Sequence, residues 1–207
     1  MTEWNPELLH LHVAPGFGEF NAASIPDIRG EFSQATHWVA NYFGNSVLSA
    51  SYSAPQRQLV LAYLRRTQHA FAMYHAAREQ TLGFLAVPST GRYYAAVTDW
   101  EVFALDFSMA CDIFHRGFGA PVFKKGDGSS EEQLYTLANN VKHPSSYLQE
   151  QDEALAAVPL WLTNDGLESY GGVTVKYEEA CSILADASRI ADTLQDPART
   201  LKLQRPD

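Results

Sequence analysis

Pro55-Gln56-Arg57-Gln58-Leu59-Val60-Leu61-Ala62-Tyr63-Leu64-Arg65-Arg66 opens a helical repeat that runs from about Ala54 to Gly83. Proline fits the first turn of a helix, where its missing N–H has no partner to lose. Leu59, Ala62/Tyr63, Arg66, Ala70, Met73/Tyr74 and Ala77 then recur at the spacing of one helix face. Arg65 and His69 stand four positions apart and are therefore neighbours on that helix. Such a pair suits either a phosphate contact or a solvated flank.

Toward the C-terminus, Pro88, Gly91 and the alternation Tyr93/Ala95/Val97 predict a loop with one short strand over residues 84–98. Thr98 or Asp99 is then the expected cap of a helix starting at Trp100. Val102/Phe103, Asp106/Phe107, Ala110/Cys111 and Ile113/Phe114 define its face, with Asp106 and Asp112 assigned to the polar side. Gly117 and Gly119 end it. The connection 120–128 lacks the spacing of a phosphate-binding Walker loop, and Lys124/Lys125 read as a charged loop surface. Ser129 or Ser130 caps the next helix, with Glu131 and Glu132 suited to its first turn. Pro144 stops that helix just after His143.

Leu160-Trp161-Leu162-Thr163, a turn at Asn164-Asp165-Gly166, and Val173-Thr174-Val175 as antiparallel partner predict a small β-hairpin with an extended loop. A last helix carries Tyr177, Ala180/Cys181, Leu184, Ala187, Ala191 and Leu194 inward. Toward the N-terminus a helix is expected over Phe32–Phe43. Residues 1–28, punctuated by Pro6, Pro15, Gly16, Gly18 and Pro26, read as an irregular lead packed on the domain. His10 and His12 alternate with Leu9, Leu11 and Val13, which suits a short strand. No third metal ligand accompanies them in sequence.

The expected architecture is mainly α: a compact helical bundle with a small β-hairpin near residues 160–175. Residues 29–195 form its single domain, 1–28 the lead and 196–207 a C-terminal tail. The 207 residues carry a formal net charge of −9. Neither half is basic: residues 1–123 hold 7 basic and 10 acidic groups, residues 124–207 hold 8 and 14. A long nonspecific nucleic-acid groove is disfavoured. Cys111 and Cys181 form no CxxC pair and read as reduced core thiols. No export segment or membrane-length apolar run is seen, so a cytoplasmic protein without membrane association is expected. No cofactor motif and no metal-ligand cluster is recognised, so none is expected.

Chemistry is most concentrated in Leu134-Tyr135-Thr136-Leu137-Ala138-Asn139-Asn140-Val141-Lys142-His143. His143 is the candidate catalytic acid/base, because imidazole exchanges protons near neutral pH. Lys142 is the candidate to offset phosphate charge, and Asn139 and Asn140 are candidates to bind substrate by hydrogen bonds. The same residues also suit a structural role, since cationic groups favour a helix C-terminus and amides satisfy loop groups.

Asn139-Asn140-Val141-Lys142-His143, Pro159-Leu160-Trp161-Leu162-Thr163-Asn164-Asp165-Gly166-Leu167 and the Val173-to-Leu194 helix resemble the HEPN-like helical group over roughly residues 99–195. The resemblance implies a compact, often dimeric bundle, whose active examples are metal-independent RNases of toxin–antitoxin or defence systems. Their signature places an Arg before the His that His143 matches, with four to six residues intervening. The corresponding window here, Thr136–Ala138, holds no Arg. The leading expectation is therefore a dimeric helical binding or regulatory protein, with a protein partner or RNA as further binding candidates. The alternatives are a metal-independent endoribonuclease using His143, aided by Lys142 and the amides, and an enzyme for a small phosphorylated ligand.

Overall fold

A computed structural model describes residues 14–45, 52–145 and 158–196. His10 and His12, most of the expected lead and residues 197–207 of the expected tail lie outside them. The described residues form five α-helices and a three-stranded antiparallel sheet: α1 Trp38–Gly44, α2 Ala54–Ala86, α3 Thr90–Phe118, α4 Ser130–Lys142, β1 Leu160–Leu162, β2 Gly166–Ser169, β3 Val173–Lys176 and α5 Tyr177–Leu194. The architecture is thus a helical bundle with a small sheet, as the periodicity predicts. No helix among the described residues is long and apolar enough to cross a membrane.

Ser53 starts α2 through a reciprocal cap: its hydroxyl accepts from the Gln56 N–H, and the Gln56 side chain accepts from the Ser53 N–H. The helix covers 33 residues, about 50 Å at 1.5 Å per residue. Its inward face is displaced by a position from the expected one. Val60, Tyr63/Leu64, Thr67, Ala70/Phe71, Tyr74/His75 and Ala77 are buried, whereas Leu59, Ala62, Arg66 and Met73 flank them.

The largest departure from expectation follows Ala86. Residues 84–98 contain neither a long loop nor a strand: only Val87, Pro88 and Ser89 separate α2 from α3. Ser89 caps α3 by accepting from the Arg92 N–H, and Arg92 Nη1 donates back to the Gly83 carbonyl at 2.7 Å. Tyr93, Ala96/Val97 and Trp100 are the buried positions of a helix. The alternating reading failed because Ala95 is small enough to sit in either pattern. Similarly, residues 32–37 make tight turns, with hydrogen bonds Ala35→Phe32 and His37→Gln34, and the helix itself is only Trp38–Gly44.

Alongside α2 the antiparallel α3 forms an aromatic seam. Trp100 meets Tyr74 at 5.4 Å and Phe103 at 5.6 Å between ring centroids, both edge-on. Such pairs contribute about 0.5–1.5 kcal/mol each beyond burial. Trp100 keeps its polar atom satisfied, donating from Nε1 to Thr81 Oγ1 at 3.0 Å. Ala14, Phe17, Phe20, Ile25 and Ile28 join the same core as Leu134, Leu160 and Leu184. Cys111 and Cys181 are both free and buried.

Val173–Val175 does not pair with β1, contrary to the expected hairpin. The turn after Leu162 returns the chain at once, so β2 pairs with β1 through Leu162↔Leu167 and with β3 through Leu167↔Val175. Gly171 and Gly172, at φ 74 and 72, make the second turn in a backbone region that glycine adopts freely. A Cβ on Gly166 would lie 2.2 Å from the Val175 carbonyl oxygen. The Gly166→Ala protein should therefore lose about 1–3 kcal/mol of stability from overpacking, read as a lowered urea midpoint with unchanged slope.

Residues 25–29 form a strap across α2. Tyr74 donates to the Pro26 carbonyl at 3.0 Å, Arg78 Nε to the Ile25 carbonyl at 2.8 Å, and Arg29 bridges Asp27 and Glu79 at 2.6 Å each. Arg29 holds the Asp27 carboxyl far below its usual range. Under the strap lies His75, 6% exposed, with no hydrogen bond at either ring nitrogen. Burial pushes it down from 6.5 to about 4, despite Asp27 at 3.7 Å. On α3, burial pushes Glu101 up from 4.5 to about 7.

These two groups act in opposite senses. Between about pH 4 and 6.5 the unfolded chain holds the His75 proton that the folded chain refuses, so stability falls as pH falls. Between about pH 4.5 and 7 the folded chain retains the Glu101 proton that the unfolded chain releases, so stability falls as pH rises. Their effects offset each other in the wild type. Urea titrations should show the wild type losing stability relative to His75→Leu, by up to about 1.4 kcal/mol per pH unit, as pH is lowered through the His75 window. A pH-independent difference between the two proteins would contradict this assignment.

Candidate functional site

Ser129 accepts from the Glu132 N–H to start α4, and Glu132 Oε2 accepts from the Gly128 N–H at 2.8 Å. Leu134, Leu137 and Ala138 then bury its inner face, which points Asn140 inward one turn later. Asn140 is fully buried. Its amide donates to Ser169 Oγ at 2.9 Å and to the Tyr170 carbonyl at 3.1 Å, tying α4 to the end of β2.

Lys142 takes another direction. Its ammonium donates to Ser108 Oγ of α3 at 2.8 Å and lies 5.7 Å from the Tyr135 ring centroid. Tyr135 in turn donates to Asp112 Oδ1 at 3.0 Å. Asn139 is half-buried, and its carbonyl receives the N–H of His143, which ends the helix. The His143 side chain is exposed and makes no hydrogen bond or ion pair among the described residues. The structure thus does not aim the segment's polar groups at one point: Asn140 faces the sheet, Lys142 faces α3, and His143 faces outward.

A tighter constellation lies between α2 and α3. Arg66 Nη1 meets Asp106 Oδ1 at 2.7 Å, and His69 Nδ1 meets Asp106 Oδ2 at 2.5 Å. The carboxylate side chain is 5% exposed, against 37% for Arg66 and 53% for His69. Asp106 is therefore not on a polar helix face, as its sequence position suggested. It is buried because two cationic-capable side chains from α2 satisfy both of its oxygens, which a carboxylate removed from water requires. Arg65, Arg66 and His69 line one cavity of about 350 Å³ with Thr36, Val39 and Phe71.

The proximity of Arg65 and His69 was legible from their spacing. Asp106 was missed because an aspartate inside an apolar stripe was read as solvated; its position between Phe103 and Phe107 was the available signal. Among the described residues no group of three or more His, Cys, Asp and Glu side chains is placed to hold a metal ion. The chain matches no family model, no curated protein and no solved structure.

The partition of the α4 end has a direct consequence for stability. Asn140→Ala should cost about 1–3 kcal/mol by leaving buried groups unpaired, whereas His143→Ala should stay within about 0.5 kcal/mol. Chemical denaturation of the two variants checks this, and equal losses would contradict the partition.

Proposed function

We propose that the protein is a HEPN-like helical binding or regulatory protein that works as a cytoplasmic homodimer, in a toxin–antitoxin or defence setting. One observation carries the preference for binding over catalysis: Asn140 and Lys142 are engaged by Ser169, Tyr170 and Ser108. A phosphodiester-cleaving site at this place needs a cation free to meet developing phosphate charge. Here the nearest one in sequence to His143 is tethered to the neighbouring helix. The kinship itself rests on the sequence resemblance over residues 99–195.

The exposed imidazole of His143 favours the second reading, a metal-independent endoribonuclease. Light scattering on the purified chain, with an RNA panel incubated in chelator, separates the two readings. The binding reading expects a dimer that leaves the RNA intact. Cleavage that disappears in a folded His143→Ala protein would replace it with the nuclease reading, and a monomer at high micromolar concentration would remove the dimer from the proposal.

A further inference from the structure

We propose that the hollow between α2 and the chain leading into α1 is a binding site for a small phosphomonoester, independent of the α4 end. Arg65, Arg66 and His69 line it from one stretch of α2. Arg65 is exposed and has no hydrogen bond or ion pair among the described residues. Arg66 uses Nη1 on Asp106, which tethers its guanidinium and leaves Nε and Nη2 without partners among the described residues.

His69 is oriented in the same way. With Nδ1 held by Asp106, its Nε2 is the nitrogen left for a ligand. In the neutral ring Nε2 accepts from a phosphate hydroxyl, and in the imidazolium it donates to a phosphate oxygen. The buried Asp106 thus acts as a positioning residue from behind the wall.

Charge and shape point to the same ligand. Counting Arg65, Arg66 and Asp106, the hollow carries one net positive charge with a neutral imidazole and two with an imidazolium. No carboxylate lines it among the described residues. That is a locally cationic place on a chain whose formal charge is −9, so it concentrates anions that the rest of the surface repels. Two guanidinium donors beside an imidazole Nε2 that accepts from a phosphate hydroxyl, or donates when the ring is charged, match the mixed terminal oxygens of a phosphomonoester better than the two coplanar acceptor oxygens of a carboxylate. The volume of about 350 Å³ lies at the lower end of small-ligand pockets. Ala35, Val39 and Phe71 give the remaining wall an apolar surface for the esterified group. Gln68 braces that wall by accepting from the Val39 N–H at 3.1 Å.

Amide NMR titration of the full chain tests this with phenyl phosphate, glycerol 3-phosphate and inorganic phosphate as probes, and benzoate as control. Saturable shifts at Thr36, Arg65, Arg66 and His69 are expected, with both phosphomonoesters binding more tightly than benzoate. Arg65→Ala should weaken binding about tenfold, the loss of one charge-assisted hydrogen bond. His69→Gln, which keeps a donor toward Asp106, should weaken it roughly threefold to tenfold. Arg66→Ala risks the fold by unpairing Asp106, so Arg65→Ala carries the test. Preference for phenyl phosphate supports an aryl or similar apolar ester group against Phe71, and preference for glycerol 3-phosphate supports a polyol phosphate in the same site. Non-saturating shifts spread over surface lysines, binding unchanged by Arg65→Ala, or benzoate bound as tightly as phenyl phosphate would each overturn the proposal. So would saturable binding of single-stranded RNA together with none of the phosphomonoesters.

Discussion

A link of three residues, Val87–Ser89, forces the 33 residues of α2 and the 29 of α3 to lie antiparallel. Most of the rest of the structure depends on that constraint. The two helices share the largest interface between any elements described. Their aromatic seam places Trp100 where Tyr74 and Phe103 meet it edge-on, while Tyr177 from α5 lies tilted against it at 5.5 Å between ring centroids. The strap at residues 25–29, α1, α4 and α5 all find their places against this pair. The same constraint brings Asp106 opposite Arg66 and His69, residues separated from it by about forty positions in sequence.

That juxtaposition joins stability to function. A carboxylate inside a helix interface is costly unless both oxygens are satisfied, and here the groups that satisfy it are also those that line a hollow. Asp106 therefore holds Arg66 and His69 in fixed directions before any ligand arrives, which lowers the ordering cost of binding. The end of α4 has the converse character. Its amide and ammonium groups connect secondary elements to one another, and only His143 remains outward. Polar residues concentrated in sequence are here dispersed in space, and polar residues dispersed in sequence are concentrated.

The legibility of the sequence divides along the same line. Periodicity identified the helical bundle, and local residue types gave Ser129 or Ser130 as a cap, of which Ser129 serves, and Pro144 as a stop, because these depend on neighbours within a few positions. It failed at residues 84–98, where Pro88 and the Tyr93/Ala95/Val97 alternation suggested a loop and strand, and Thr98 or Asp99 was read as the cap that Ser89 provides. The strand at Gly166–Ser169 was absorbed into a loop, because its short apolar content is unremarkable until β1 and β3 flank it. The place of Asp106 between Phe103 and Phe107 hinted at burial, but its partners were unreadable for a physical reason. Its burial depends on two side chains supplied by another helix, and no local pattern reports them.

Asp106 holds His69 through Nδ1, and that contact leaves Nε2 for the hollow. Long-range nitrogen–proton correlation spectra of the imidazole, recorded where its ring is neutral, report which nitrogen carries the proton. A protonated Nδ1 and an unprotonated Nε2 are expected, with the pattern lost in Asp106→Asn. A proton on Nε2 with Nδ1 bare, unchanged by that substitution, would contradict it.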